Sequence, residues 1–322
     1  MKWCWLFLGA IGGTAACSRA EVYPITRDAP AGRGASGGAS GSGSGGSGAG
    51  GSAGASPPAC PSPAIAPGDS NRTIVVGSVN RSFILHVPPA YEGREPAPLV
   101  LDFHGMGESA ASERSSSPYP ATLDASGVVM AFPEGLRGPA GLAWNVGPCC
   151  VADVDDVAFA RAVVAEVQKL ACIDATRVYA VGVLTGGGMA HYLACHAADL
   201  FAAVSPAAFD LLEENVDDCR PARPIGVVSF RGTADMRVPY AGGASSLVPG
   251  MPITFLGARA TFDKWAEIDG CTGAASPADE NGCSTHSACA GGAAVVLCTA
   301  EGGREGPGDP SIAWPILERH TL

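Results

Sequence analysis

Lysine is nearly missing from this chain: it occurs only at positions 2, 169 and 264, so arginine carries almost all the basic charge. Lys and Arg together number 20 against 31 Asp and Glu, for a net charge of −11. A chain this acidic is not drawn electrostatically to nucleic acid or to an anionic membrane surface, which excludes both as charge-driven partners. The apolar run Trp3–Gly13 is too short for a membrane span. No Cys-x-x-Cys pair occurs in the cysteine cluster Cys271–Cys298, which argues against zinc there.

What the N-terminus does carry is the order of an export signal: Lys2, then Trp3–Gly13, then the small residues Thr14-Ala15-Ala16 before Cys17. Small residues directly before a cysteine resemble a bacterial lipobox. Residues 1–16 are thus expected to be an export signal of the lipoprotein type, with Cys17 lipidated as the first mature residue and the only route to a membrane. Residues 17–67 form a Gly/Ser/Pro-rich linker, with nothing but Gly, Ser and Ala from Ala35 to Ser56. Such a tract buries too little surface to order itself, and as a coil of about 40 residues it would span about 35 Å. The remaining domain, 68–322, holds ten of the twelve cysteines once Cys60 is counted with it and Cys4 and Cys17 are set aside. An even number in an exported chain implies disulfides. Cys283 with Cys289 and Cys271 with Cys298 are the expected local pairs, and Cys60 is expected to pin the linker to the domain.

From about Asn71 the pattern becomes globular. Thr73–Val76 and Arg81–Val87 read as an antiparallel pair, the second alternating Phe83, Leu85, Val87. Pro98–Phe103, Val128–Phe132, Arg177–Val183, Pro224–Phe230 and Ala293–Cys298 read as further strands, several of them continuous apolar runs of the kind buried in a parallel sheet. Between them, Val154–Leu170 has apolar residues at helical spacing, with Asp153, Asp155 and Asp156 at its start. Capping and the helix dipole account for these acids better than a metal site does. Strands alternating with helices of this length give an α/β fold with a mostly parallel central sheet and helices on both faces.

The organising stretch is Arg177–Met189, RVYAVGVLTGGGM, a strand that turns into a helix through glycines. That is the form of a nucleophile elbow, Gly-x-Ser-x-Gly, but in Gly182-Val183-Leu184-Thr185-Gly186 the apex residue is Leu184. Three more features fall in the order an α/β-hydrolase needs. His104-Gly105-Met106-Gly107 follows a strand end, where the backbone N–H of Met106 together with that of Thr185 can face a developing oxyanion. Asp235 follows another strand, where a triad acid belongs, and Glu301–Glu305 follows the last strand, where the histidine belongs.

Together with Trp144-Asn145-Val146-Gly147-Pro148-Cys149-Cys150, Val154–Phe159, Arg177-Val178-Tyr179-Ala180, Leu193-Ala194-Cys195 and Val238-Pro239-Tyr240, these motifs resemble the secreted polyhydroxybutyrate depolymerase and feruloyl esterase family, over roughly residues 72–320. The resemblance implies a disulfide-stapled α/β-hydrolase fold and hydrolysis of carboxylic esters by Ser, Asp and His without a cofactor. It implies that Asp235 is the triad acid and Met106 and Thr185 the oxyanion donors. His104, Gly105, Trp144 and Asn145 are the expected substrate-binding residues, with Trp144 either a stacking surface or plain core packing. Two positions depart. Leu184 stands for the nucleophilic serine, and in Gly302-Gly303-Arg304-Glu305 the carboxylate of Glu305 stands for the histidine.

Leucine has no lone pair with which to attack a carbonyl. A non-glycine apex residue costs about 1–2 kcal/mol at positive φ, so the turn is free to relax once the serine is gone. The expectation is therefore an esterase-family protein with impaired hydrolysis that still binds an ester, an aromatic acid or a glycan. The alternatives are an active esterase using an unusual nucleophile such as Thr185, with His286, His320 or Glu305 as base, and a surface module with no ligand in the old cleft.

Overall fold

The computed structural model describes residues 60–248, 250–303 and 306–322. The expected export signal, Cys17, most of the linker and Glu305 therefore lie outside the described residues. Cys60 is bonded to Cys172, which anchors the end of the linker to the domain.

The chain enters as β1 (Gly68–Val76) and β2 (Val79–Val87), antiparallel, with Phe83, Leu85 and Val87 on the buried side. The later strands are β3 (Ala97–Phe103), β4 (Val129–Pro133), the short hairpin β5 (Leu136–Gly138) and β6 (Gly141–Ala143), then β7 (Ile173–Val183) and β8 (Ala203–Ala207). They are followed by β9 (Gly226–Gly232), the hairpin β10 (Gly243–Val248) and β11 (Met251–Phe255), and finally β12 (Cys283–His286) and β13 (Val295–Ala300). Nine of these, among the described residues, form one sheet in the order β1-β2-β4-β3-β7-β8-β9-β13-β12. Neighbours from β4 to β13 run parallel, and the antiparallel strands lie towards the two edges. The helices are α1 (Ala110–Ser116), α2 (Tyr119–Leu123), α3 (Asp156–Leu170), α4 (Thr185–His196), α5 (Ala258–Ile268) and α6 (Pro310–Leu317).

Two apolar clusters explain the layering. Phe159 and Val163 of α3, Met189 and Leu193 of α4 and Phe262 and Trp265 of α5 pack on one face of the sheet. Tyr119 and Leu123 of α2 and Trp314 and Leu317 of α6 pack on the other. Side chains buried on both faces are what the continuous apolar runs of β3 and β7 require.

The structure adds one strand and corrects two expectations. The strand β8 reads Ala-Val-Ser-Pro-Ala, and Pro206 argues against a central strand because it cannot donate to the ladder. Here β8 nevertheless lies between β7 and β9, entirely buried. The helix α3 begins at Asp156, not Val154: the Asp155 side chain accepts the Ala158 N–H at 2.8 Å and caps it. Its neighbour Asp156 instead pairs with buried Arg81 at 2.7 Å and accepts the Asn145 N–H, tying β2 to the Trp-Asn segment. The disulfides near the C-terminus are Cys271–Cys289 and Cys283–Cys298, not the pairs expected from proximity in sequence. Antiparallel pairing of β12 with β13 sets Cys283 directly opposite Cys298, and that register was not readable from spacing. Cys149–Cys150 and Cys195–Cys219 are also bonded.

Candidate active site

In an open parallel sheet the loops at the carboxyl ends of the strands build the site. The carboxyl end of β7 leads straight into α4 through Leu184, whose φ of 51° and ψ of −122° lie outside the ordinary regions for a leucine. The strain has not relaxed. The Leu184 N–H donates to the Ala207 carbonyl at 3.0 Å, and its own carbonyl accepts from Gly188 at 2.9 Å. The flanking glycines are obligatory: a Cβ on Gly186 would overlap the Phe103 carbonyl, and one on Gly182 would lie 2.6 Å from the Gly186 backbone. Close packing of α4 against the end of β3 thus imposes the turn whatever side chain stands at its apex.

That apex side chain lies on the floor of a cleft of about 390 Å³, which Met106 and Thr185 also line. Leu184 packs beside Gly105, where an added Cβ would lie 3.3 Å from Leu184 Cδ1. The Met106 and Thr185 N–H groups have no acceptor among the described residues. Both donors stand at the mouth of a twelve-residue helix whose dipole favours negative charge. Thr185 Oγ1 is buried without a hydrogen-bond partner. The opposite wall comes from residues that sequence reasoning did not single out. Ala140 comes from the β5–β6 turn, Met236 and Arg237 from the loop after β9, and Ser245 and Leu247 from β10. These turns and hairpins lack the spacing that marks a strand end or an elbow, and only tertiary packing brings them over the apex.

Asp235 lies in the expected loop after β9. Its Oδ1 accepts the N–H groups of Arg237 and Val238 at 2.9 and 3.0 Å. Its Oδ2 lies 3.8 Å from Arg231 Nη2 and has no hydrogen-bond partner among the described residues. Arg231, also buried, pairs with Asp210 and donates to the Val238 carbonyl at 2.6 Å. Burial pushes the Asp210 carboxyl up to about 6 although Arg231 opposes the shift. The loop towards the base position is tied to the acid loop: Ala234 N–H donates to the Gly303 carbonyl at 2.8 Å, and Gly302 N–H to Thr233 Oγ1 at 2.8 Å.

Several expected ligand contacts are corrected. Trp144 is fully buried, donates from Nε1 to the His104 carbonyl at 2.9 Å and meets Phe103 edge-on, so it presents no face for stacking. His104 is equally buried. Its Nε2 accepts from Gly135 N–H and its Nδ1 bonds the Gly105 carbonyl, while burial lowers its pKa. Asn145, half-buried, donates to the Val154 carbonyl and accepts from Gly147 N–H. Trp144 and His104 brace the oxyanion loop rather than lining the cleft.

None of the six histidines lines the cleft. His320 sits at the opposite end of the sheet, against Gly226 at the start of β9, and its carbonyl accepts from Tyr179 Oη. His286 lies on the edge strand β12 against Phe262. His191 on α4 accepts from Trp265 Nε1 at 3.0 Å, and burial lowers its pKa to about 3.

The sheet order, the strained strand-to-helix turn and the free donor pair define the protein as an α/β-hydrolase. The comparisons narrow this further. The chain is 43% identical over 246 residues to feruloyl esterase B of Piromyces equi, covering 75% of this chain and 46% of that protein. It is 29% identical over 193 residues to feruloyl esterase C of Emericella nidulans, covering 56% of this chain and 66% of that one. The chain thus spans about half the length of the first of these curated relatives. Among solved structures, an acetyl xylan esterase from Aspergillus awamori superposes with a TM-score of 0.57 at 14% identity, over 77% of this chain and 98% of that one, a likeness of fold alone. No family model matches the chain. The chain belongs to an α/β-hydrolase esterase family that includes feruloyl esterases.

Proposed function

We propose that this is an exported esterase-family protein whose ester hydrolysis is impaired and whose cleft binds carboxylic esters without turning them over efficiently. The reading rests on one observation. The apex of the elbow keeps its strained backbone and its two unengaged N–H donors, yet the side chain there is a hydrocarbon. A carbonyl oxygen still meets donors in such a site, but no atom is placed to form an acyl-enzyme. The expected ligand is a hydroxycinnamoyl ester, the class named by the feruloyl esterase relatives, or alternatively a polyester or an ester-bearing glycan. Five disulfides among the described residues support export to an oxidising compartment, and a lipid on Cys17 would hold the domain at the cell envelope.

Thr185 is a poor substitute nucleophile. Its hydroxyl is buried, and no base approaches it among the described residues. The test is hydrolysis of p-nitrophenyl butyrate and ethyl ferulate by the wild-type chain beside the double variant Leu184→Ser, Glu305→His. The double variant is expected to exceed wild type by about 10³-fold in kcat/KM, a fraction of the roughly 10⁶-fold by which a native triad outperforms the site left without it. Each single variant should gain far less, because nucleophile and base act as a unit. Wild-type turnover that Thr185→Ala abolishes would contradict the proposal, and so would a folded double variant with no gain.

A further inference from the structure

Beneath the oxyanion loop lie acidic groups that neither the triad nor the cleft uses. Glu113 of α1 is only 3% exposed, and Asp102 of β3 only 2%. Ser117 Oγ donates to Asp102 Oδ2 at 2.5 Å, and Glu113 hydrogen-bonds the side chain of Glu108. Glu108 in turn accepts the Gly105 N–H on its Oε2 at 3.0 Å. A second carboxylate, Glu134, accepts the Ala110 N–H at 2.5 Å where the loop enters α1. The segment between Phe103 and α1 is therefore held by acids at both ends, and Met106, with its unengaged N–H, lies between them.

Two carboxylates in contact without a cation cannot both be ionised at low cost, so one proton is expected between them. The charged groups that act on Glu113 are Asp102 and Glu108, both acids. Its helical neighbour Arg114 is turned towards Asp69 and His86 instead. Tyr119 of α2, packed over the same face of β3, is a neutral phenol pushed further up by burial. Burial, and then the charge of Asp102, raises Glu113 to about 9, which leaves its carboxyl neutral and able to donate at pH 7.

We infer that Glu113 and Glu108 are positioning residues of the cleft: the neutral Glu113 carboxyl donates a hydrogen bond to Glu108, and Glu108, so held, grips the Gly105 N–H and fixes the Met106 donor. Loss of that proton sets two carboxylates against each other in a site with no cation among the described residues, and the Glu108 grip on Gly105 is released. The inference rests on the ester-binding reading only for its consequence, because the grip itself is readable without a ligand.

Hydrogen exchange of the Gly105 amide in the full chain, followed by NMR from pH 7 to pH 9.5, tests it. In the wild type the protection factor should fall by about 10-fold over that range, as one proton is lost near pH 9. Glu113→Gln, which keeps a neutral donor but cannot ionise, should hold its protection within about 2-fold. Glu108→Ala should lower protection at every pH with no step. The same pH step in wild type and Glu113→Gln would overturn the inference, as would unchanged Gly105 protection in Glu108→Ala. Near-UV circular dichroism checks that each variant is folded. Ethyl ferulate titrated into the same samples reads the cleft separately. Affinity falling in step with protection supports the link, whereas no binding at any pH removes the ester reading and leaves the exchange data to decide the positioning claim.

Discussion

The two sides of the cleft are built differently. On one side, the end of β3, the elbow and the start of α4 present functional atoms that belong to the backbone, the N–H groups of Met106 and Thr185. On the other, the loop after β9 holds a functional group that belongs to a side chain, the Asp235 carboxylate. The backbone side is complete. On the side-chain side the acid keeps its two amide donors, but its second oxygen has only Arg231 at 3.8 Å and no hydrogen-bond partner among the described residues. Backbone geometry is fixed by packing, here by α4 pressing glycines against the Phe103 carbonyl, and does not depend on the side chain at the apex. A side-chain function depends on one residue, and the fold does not register which residue stands there.

The largest way to break this comparison is to give the elbow a side chain it cannot hold. Gly186→Ala should cost about 3 kcal/mol, the upper end of overpacking penalties, because the added methyl meets backbone rather than a flexible side chain. The midpoint of urea unfolding reads it, and a variant as stable as wild type would mean that the turn has room and the strain another origin. A smaller effect should appear in stability against pH. The raised acids Glu113 (about 9) and Asp102 (about 7) keep protons in the folded state that the unfolded chain gives up near pH 4. The folded state then binds more protons than the unfolded one, so stability falls as pH climbs from about 4 towards 9. His191, lowered to about 3, acts the other way: the unfolded chain takes up its proton below about 6.5, so stability rises from pH 3 to 6.5. Above about pH 4.5 the two acids outweigh the one histidine, so the melting temperature is expected to fall from there onwards, by about 5 °C at pH 9, with Glu113→Gln flattening the alkaline limb. An alkaline limb of equal slope in that variant would show that the carboxyl is not neutral in the folded state.

Much of the backbone side was legible in the sequence. Glycines at 182, 186, 187 and 188 after a β-branched run admit few conformations other than a tight strand-to-helix turn, and His104-Gly105-Met106-Gly107 follows an unmistakable buried strand. The persistence of strain at Leu184 was not legible, because it depends on what α4 packs against rather than on the apex residue. Trp144 and His104, expected at the ligand, lie in the interior, which was not legible for a related reason. Their polar and aromatic groups suit a ligand and an interior equally well, and only burial distinguishes the two. The wall formed by Met236, Ser245 and Leu247 carries no periodicity and was invisible until the hairpin β10–β11 was placed. Disulfide partners followed strand register, which cysteine spacing does not encode.

The central claim is that no group in this cleft is placed to form a covalent bond with an acyl or phosphonyl centre. Intact-mass analysis of the wild-type protein after incubation with a fluorophosphonate probes that directly, with Leu184→Ser, Glu305→His as the reacting control. The account predicts a single adduct on the double variant, at position 184, and no mass shift on the wild type. A stoichiometric adduct on wild type, mapped to Thr185 or any other residue lining the cleft, would contradict it.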